Sequence, residues 1–413
     1  QLVTCSGFNA KKGVEMQNLN VIEDGAVILD GDLIADVGTT DELMPRAEGA
    51  KVIDCAGKAV LPGFVDSHTH FVFGGYRFDE FSWRLFGMNY MDIMKKGGGI
   101  NATAEATRNA TLNELKEDGR KRLSSMLTYG VTTVEGKSGY GLDKETEIRQ
   151  LTAMKELNEE HPLDIISTFM GAHAVPEEFK GGTDGYVDFI IREVLPVVAG
   201  DNLAEFCDVF CEAGVFDIEQ SRRLLLAAKE YGMKIKLHAD EIVQIGGTEL
   251  AAELNAVSAD HLLQSSKEGI GMLAEKGVVA TLLPATAFSL KKPYAKARFM
   301  IDQGCAVALA TDFNPGSCFT NSVPLLFALA TIYMGMTIEE AITALTINGA
   351  AAVKKESMIG SIDPGKKADI IVLEYPNYQF LHYHFAVNIV EKVIKSGRIV
   401  FEKTRGHDRN NFY

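Results

Sequence analysis

The sequence predicts an α/β fold: a (β/α)8 TIM barrel carrying a small β-sandwich-like domain formed by both chain ends. Three observations predict it. Residues 59–356 alternate eight apolar, strand-like runs with helical stretches, the strand count that closes a barrel. Four of those runs lead into histidine or aspartate, so ligand-type side chains collect at one end of the strands. Residues 1–58 and 357–413 read instead as short strands joined by tight turns, and are assigned to one composite β domain.

Taken in order, Gly25–Gly38 forms two strands flanking Asp30-Gly31, a hairpin signal. Lys51–Lys58 reads as a further strand. The first barrel strand is the apolar run Ala59–Asp66, which runs on into His68-Thr69-His70. Val131–Glu135, Asp164–Met170 and Phe206–Cys211 are the second to fourth. The fifth, Met233–Leu237, closes on His238, and the sixth, Ala256–Asp260, closes on His261. Val278–Leu283 is the seventh. The eighth, Ala306–Thr311, closes on Asp312. Helical stretches lie between, for example 219–231 and 267–276. Lys366–Leu373 and Val390–Val400 then return to the strand style of the first residues. A doubly wound open sheet is the alternative, but there the first and last strands lie far apart. Ligands on strands one, five, six and eight need a closed ring to meet.

Composition narrows the class. At 413 residues, 46% of them hydrophobic, the chain can bury a large core and fits a soluble globular protein. No apolar run approaches the roughly 18 residues of a membrane helix. The first residues lack the basic region and apolar core of a secretory signal. Six cysteines are scattered, and the one short spacing, Cys207-x3-Cys211, is neither a finger nor a redox pair. Free thiols in a reducing cytoplasm are expected. A net charge of −15 argues against nucleic acid and anionic membranes as partners. An anionic ligand would need a local cation.

His68-Thr69-His70 is the strongest chemical signal. On a strand, residues i and i+2 share a face, so two imidazoles two apart converge on one point. Neutral imidazole is a common ligand for zinc and iron. Gly74-Gly75 then release the chain into a loop at the strand's end, where site residues tend to sit.

Leu61-Pro62-Gly63-Phe64-Val65-Asp66-Ser67-His68-Thr69-His70, together with His238, His261 and Asp312, resembles the amidohydrolase superfamily over nearly the whole chain. Gly360–Asp369 is also typical of it. Within the superfamily, Glu135–Leu142, Gly171-Ala172-His173 and Asp312–Ser317 resemble the imidazolonepropionase family of histidine degradation. The resemblance implies hydrolysis of 4-imidazolone-5-propanoate, a small anionic heterocycle, to N-formimidoyl-L-glutamate. Dinuclear members carry a bridging lysine on the fourth strand, and Phe206–Glu212 contains none. One metal per chain is therefore expected, Zn2+ or Fe2+/Fe3+, held by His68, His70, His238 and Asp312. Glu212 is the one residue that would allow a second, weaker ion.

The resemblance also implies roles. A water acidified by the metal would attack the ring carbonyl carbon. Asp312 would take its proton, Glu241 would contact the ring nitrogens and shuttle a proton, and His261 would polarise the carbonyl. Arg77 would bind the propanoate through a guanidinium fork. Tyr90, Tyr140, His173, Asn314, Gly316 and Ser317 would complete the substrate contacts, and the protein would be a homodimer. The plain reading of Asn314-Pro315-Gly316 is a turn. That of Glu241 is an acid at a helix N-terminus.

Other histidines are read as non-catalytic: His161 as structural, His382 and His384 on a strand of the β domain, His407 in a polar tail. Lys95–Gly99 and Lys291-Lys292-Pro293 are read as loops able to act as lids. Two rival readings stand beside the resemblance. A deaminase of a neutral heterocycle would not need Arg77. A non-catalytic barrel with a closed structural zinc would not need Glu241, His261, Arg77 and Tyr140 around it.

Overall fold

The computed structural model describes residues 1–88, 92–93, 96–179 and 181–403. Strands β1 (Leu2–Val3), β2 (Val21–Ile22), β3 (Gly25–Asp30), β4 (Leu33–Thr39) and β5 (Val60–Pro62) come first. The barrel is β6 (Phe64–Thr69), β7 (Val131–Lys137), β8 (Asp164–Ala172), β9 (Phe206–Cys211), β10 (Lys234–Ala239), β11 (Ser258–His261), β12 (Val279–Leu282) and β13 (Val307–Leu309). Then come β14 (Ile370–Leu373), β15 (Val390–Lys395) and β16 (Arg398–Glu402).

β6 to β13 pair in chain order, each parallel to the next. The ring closes where β13 returns to β6: Asp312 N–H donates to the His68 carbonyl (3.0 Å) and His70 N–H to the Phe313 carbonyl (2.9 Å). Asp66 adds a second clasp, accepting from the Thr311 N–H (3.0 Å) and hydroxyl (2.7 Å). The strands obey the two-residue period. In β10, Ile235, Leu237 and Ala239 enter the apolar layer beneath the helices, and Lys236 and His238 take the opposite, interior face. The helices start and stop on local signals. Ile218–Glu230 opens on an Asp217–Gln220 capping box. Lys267–Lys276 opens on Ser266 and ends at left-handed Gly277 (φ +70°).

The chain ends form a six-stranded sheet in the order β16-β15-β14-β5-β1-β2, with the β3–β4 hairpin as a separate two-stranded sheet. Leu2, Ile34, Ile362, Ala368, Ile370 and Ile394 join the two in one small core.

Four local expectations need correcting. The run Ala59–Asp66 is not one strand. Val60–Pro62 pairs with β1 and β14 in the end sheet, and the barrel starts at Phe64. Gly63 marks the break, where a Cβ would lie 2.3 Å from the Thr132 side chain. Lys51–Lys58 forms turns and no strand. Val390–Val400 is a hairpin rather than a single strand, turning at Ser396-Gly397 with φ +46° and +73°, the pair of left-handed residues a tight turn needs. His382 and His384 lie in and just after the short helix Phe380–Tyr383, because Phe380 stacks on Tyr375 (4.4 Å, 7°) and turns the chain there. His407 lies outside the described residues.

Candidate metal centre

Each site histidine or carboxylate comes from the C-terminal end of a barrel strand. Three of those ends are bent by non-glycine residues in the left-handed region: Asp240 after β10 (φ +48°), His261 ending β11 (φ +75°) and Asp312 beyond β13 (φ +50°). That conformation is uncommon outside glycine, with Asp and His among its better tolerated occupants. It turns His261 and Asp312 into the mouth, and Asp240 towards the helix that follows.

The rings converge. His68 lies 4.5 Å from His238 and 5.5 Å from His70, centroid to centroid, and His238 lies 5.0 Å from His261. Asp312 Oδ1 is 3.6 Å from His68 Nε2 and 3.9 Å from His70 Nε2. Two triads of ligand atoms lie within 4.8 Å, His68–His70–Asp312 and His68–His238–His261, and they share His68. The four expected ligands are divided between the two triads, and His261 stands in the second.

The donor atoms fit a divalent cation. His68 Nε2, His238 Nε2 and His261 Nδ1 are buried and make no hydrogen bond. A buried polar atom left unpaired costs about 1–3 kcal/mol, so three such atoms aimed at one place call for a shared partner. The opposite nitrogens are occupied. His68 Nδ1 lies 2.6 Å from Asp260 Oδ2, and His238 Nδ1 3.0 Å from Asp208 Oδ2. A carboxylate on Nδ1 keeps the proton there and leaves the Nε2 lone pair for a metal. Burial first, then neighbouring Lys137 and the other rings, holds His68 well below the ordinary histidine range. His70 and His238 are lowered in the same way, chiefly by burial. Neutral imidazole is the ligand form.

The acids face the same space. Asp312 accepts from the Thr286 hydroxyl (2.7 Å), and burial pushes its carboxyl up to about 7. Glu241 Oε2 lies 3.6 Å from His261 Nδ1. Burial, then the Asp312 and Glu212 charges, pushes Glu241 up to about 8. The helix-capping role considered for Glu241 falls to its neighbour. Asp240 accepts from the amides of Ile245, Gly246, Gly247 and Thr248 at the start of helix Gly247–Glu253. A cavity of about 60 Å3 is lined by Glu241, His261, Thr286 and Lys292, among others. A larger one, about 350 Å3, opens at the far end of the barrel beside Ser167, Glu205 and Lys234, away from the rings.

The other expected contacts divide. His173 stacks on His70 (5.0 Å, 18°) and is lowered to about 4, mainly by burial. The buried Tyr140 ring lies 5.6 Å from His70 and 5.3 Å from His173. Arg77 lies at the mouth beside Gly316, whose added Cβ would meet its Nη1 at 2.3 Å. It is already paired with Glu80. Asn314 uses its side chain within the turn, donating to the Asp312 carbonyl and accepting from the Gly316 and Ser317 amides. The Ser317 hydroxyl bonds back to Asn314. Tyr90 lies outside the described residues. Glu212 offers no free carboxylate for a second ion, since its oxygens accept from the amides of Ala213, Ile242 and Val243. The sequence alone gives Asp208, Asp260, Lys137 and Glu80 no role in the site. The signal for Glu80 was its i,i+3 spacing from Arg77.

Residues 59–400 match the model of the amidohydrolase family. An imidazolonepropionase of Clostridium tetani is 62% identical over 406 residues, covering 98% of this chain and 97% of that protein. One of Parabacteroides distasonis is 60% identical over 401 residues, covering 97% and 96%. Among solved structures, a 5-methylcytosine deaminase from Klebsiella pneumoniae superposes with a TM-score of 0.73 at 14% identity, covering 98% of each chain. An E. coli guanine deaminase does so with a TM-score of 0.73 at 15% identity over 98% of each. At that identity the deaminases share the fold, and the resemblance in sequence is to the first two proteins. This chain is a member of the imidazolonepropionase family of metal-dependent amidohydrolases.

Proposed function

We propose that the protein hydrolyses 4-imidazolone-5-propanoate to N-formimidoyl-L-glutamate in histidine degradation. The carrying observation is the meeting of His68, His70, His238 and Asp312 at one mouth, in a chain more than half identical to imidazolonepropionases. Three imidazoles and a carboxylate suit zinc or iron. When bound, such a metal acidifies a water molecule and so supplies the nucleophile for the ring carbonyl carbon.

The side chains do the rest. Asp312, with the Thr286 hydroxyl on its other oxygen, accepts the proton lost by the water. The His261 ring, beside Glu241, stabilises charge growing on the carbonyl oxygen. Glu241, held near neutrality, carries a proton to the ring nitrogen as its bond to the carbonyl carbon breaks. The water oxygen becomes part of the new α-carboxylate, and the formimidoyl group stays on the second nitrogen. Arg77 and Tyr140 orient the substrate, the first through its propanoate. His173 supports the ring stack beneath it. Asn314, Gly316 and Ser317 shape the pocket wall as one turn. Tyr90 is a further substrate contact on the family resemblance alone.

The free thiols support a cytoplasmic setting, the net charge of −15 disfavours nucleic acid and anionic membranes as partners, and the family resemblance supports a homodimer. No helix among the described residues is long and apolar enough to cross a membrane.

The test is hydrolysis of freshly made 4-imidazolone-5-propanoate by metal-replete protein. Turnover should disappear on chelation and return with zinc or iron. A metal-replete protein that leaves this substrate intact removes the assignment.

A further inference from the structure

Beneath the ring cluster the barrel interior holds five fully buried charged side chains: Glu135, Lys137, Asp208, Lys236 and Asp260. Lys137 Nζ donates to Asp208 Oδ2 (2.7 Å) and Glu135 Oε1 (2.9 Å), and stands 3.5 Å from Asp260 Oδ2. Lys236 Nζ donates to Glu135 Oε2 (2.5 Å) and to the Ser67 carbonyl (3.1 Å). Asp208 Oδ2 and Asp260 Oδ2 are also the atoms that face His238 Nδ1 and His68 Nδ1. One ammonium, from β7, therefore touches both carboxylates that orient imidazoles on β10 and β6.

Stability alone does not account for this group. Desolvating each ion costs several kcal/mol, and apolar replacement of buried ion pairs is often neutral or stabilising. The cluster lies where the imidazoles must be aimed. Asp260 Oδ1 is fixed by the Ser258 hydroxyl (2.6 Å), and Asp208 Oδ1 accepts the His238 backbone amide (3.1 Å). The remaining oxygen of each is shared between Lys137 and a ring, and that of Asp260 also has Lys236 Nζ at 3.8 Å. Without Lys137, Asp208 loses a hydrogen-bond donor and Asp260 loses the ammonium 3.5 Å from its Oδ2, so both carboxylates are freer to turn off Nδ1.

Resting on the metal-centre reading, we propose that Lys137 is a positioning residue for the metal: a single buried ammonium, joined to Asp208 and Asp260, sets the orientation and tautomer of His238 and His68. Loss of the carboxylate that orients a ligating imidazole typically lowers metal affinity by about 10–100-fold, and Lys137 borders both such carboxylates.

The experiment measures zinc affinity of the full chain by competition with a chromophoric chelator, for wild type, Lys137→Met and Lys137→Gln. It also records histidine ring 15N spectra of the metal-free proteins. Affinity should fall about 10–100-fold in Lys137→Met, and less in Lys137→Gln, which keeps a donor. Two rings should hold the Nδ1–H tautomer in wild type and become mixed in the variants. A lysine that serves only the fold would lower the melting temperature of the metal-free protein and leave folded-state zinc affinity and tautomers unchanged. That result overturns the proposal. Should Lys137→Met fail to fold, Lys137→Gln decides by the same comparison. A wild type that binds no zinc in competition with the chelator removes the metal-centre reading, and Lys137's role with it.

Discussion

The Arg77 guanidinium holds Glu80 with two parallel bonds, Nη2 to Oε1 at 2.6 Å and Nε to Oε2 at 2.8 Å. Glu80 Oε2 also accepts the Gly99 amide (2.8 Å). Both side chains are largely buried. The cation assigned to the substrate's propanoate is therefore already paired within the protein. What it presents to the mouth is the Nη1 edge, beside Gly316. A fixed fork loses less freedom on binding than a mobile lysine, and its planar geometry suits a carboxylate.

Arg77→Ala should therefore do two separable things. Losing the fork should raise KM at least tenfold with little change in kcat, since the contact is made equally before and during reaction. It also leaves Glu80 buried without its cation, which costs about 3–5 kcal/mol. The double variant Arg77→Ala/Glu80→Ala should recover most of the melting temperature and none of the KM. Kinetics and thermal melts on the three proteins check this. A wild-type KM in Arg77→Ala would show that the guanidinium takes no part in binding.

Gly316→Ala tests the same geometry from the other wall. Its Cβ would lie 2.3 Å from Arg77 Nη1 and 2.8 Å from Cζ, so the guanidinium must move. Moving it disturbs the Glu80 fork. KM should rise severalfold, with metal content close to wild type and a melting temperature lowered less than in Arg77→Ala. An unchanged KM would place the substrate's carboxylate elsewhere, with Lys292 on the cavity wall as the next candidate.

The site residues that could be read directly share one property. His68, His70, His238, His261 and Asp312 all end apolar runs, and a strand's period of two says which of them share a face. Lys137, Asp208 and Asp260 obey the same period, but partners that place them lie on strands 71 and 192 residues away. Nothing local tells a buried lysine from a solvated one. The end sheet was legible in part for a similar reason. β1 and β2 have two residues each and carry no periodicity. The division of Ala59–Asp66 between two sheets had only Pro62-Gly63 as a signal, inside an apolar run that ends at Asp66.

Glu212 is the residue just beyond β9 that a second metal would need. Its contacts give it another task. Through the amides of Ile242 and Val243 it fixes the loop that follows Glu241. Glu212→Ala should leave metal stoichiometry unchanged and lower kcat by up to about 100-fold, the scale expected when a reacting group is misplaced by about 1 Å. Metal analysis beside steady-state kinetics reads both. Loss of metal together with activity would return Glu212 to the ligand set.

Asp164 ties the barrel to the end sheet, and pH should reveal it. At the start of β8, its Oδ2 accepts from Lys367 Nζ (2.9 Å) and from Lys395 Nζ (2.8 Å) on β15. Burial alone would raise this carboxyl, but the two ammonium groups outweigh it and hold Asp164 below the ordinary carboxylate range. A carboxyl depressed in the folded state adds stability that is fully present above its unfolded value, near 4. That contribution is lost as pH falls from there through the lower folded value. Asp164→Asn should therefore reduce the melting temperature at pH 7, and the gap to wild type should narrow as the pH is taken below about 4. Thermal melts across pH 7 to 3 give the comparison. A gap that stays constant over that range would mean that the Asp164 charge contributes nothing, and that the two lysines hold the sheet through neutral contacts.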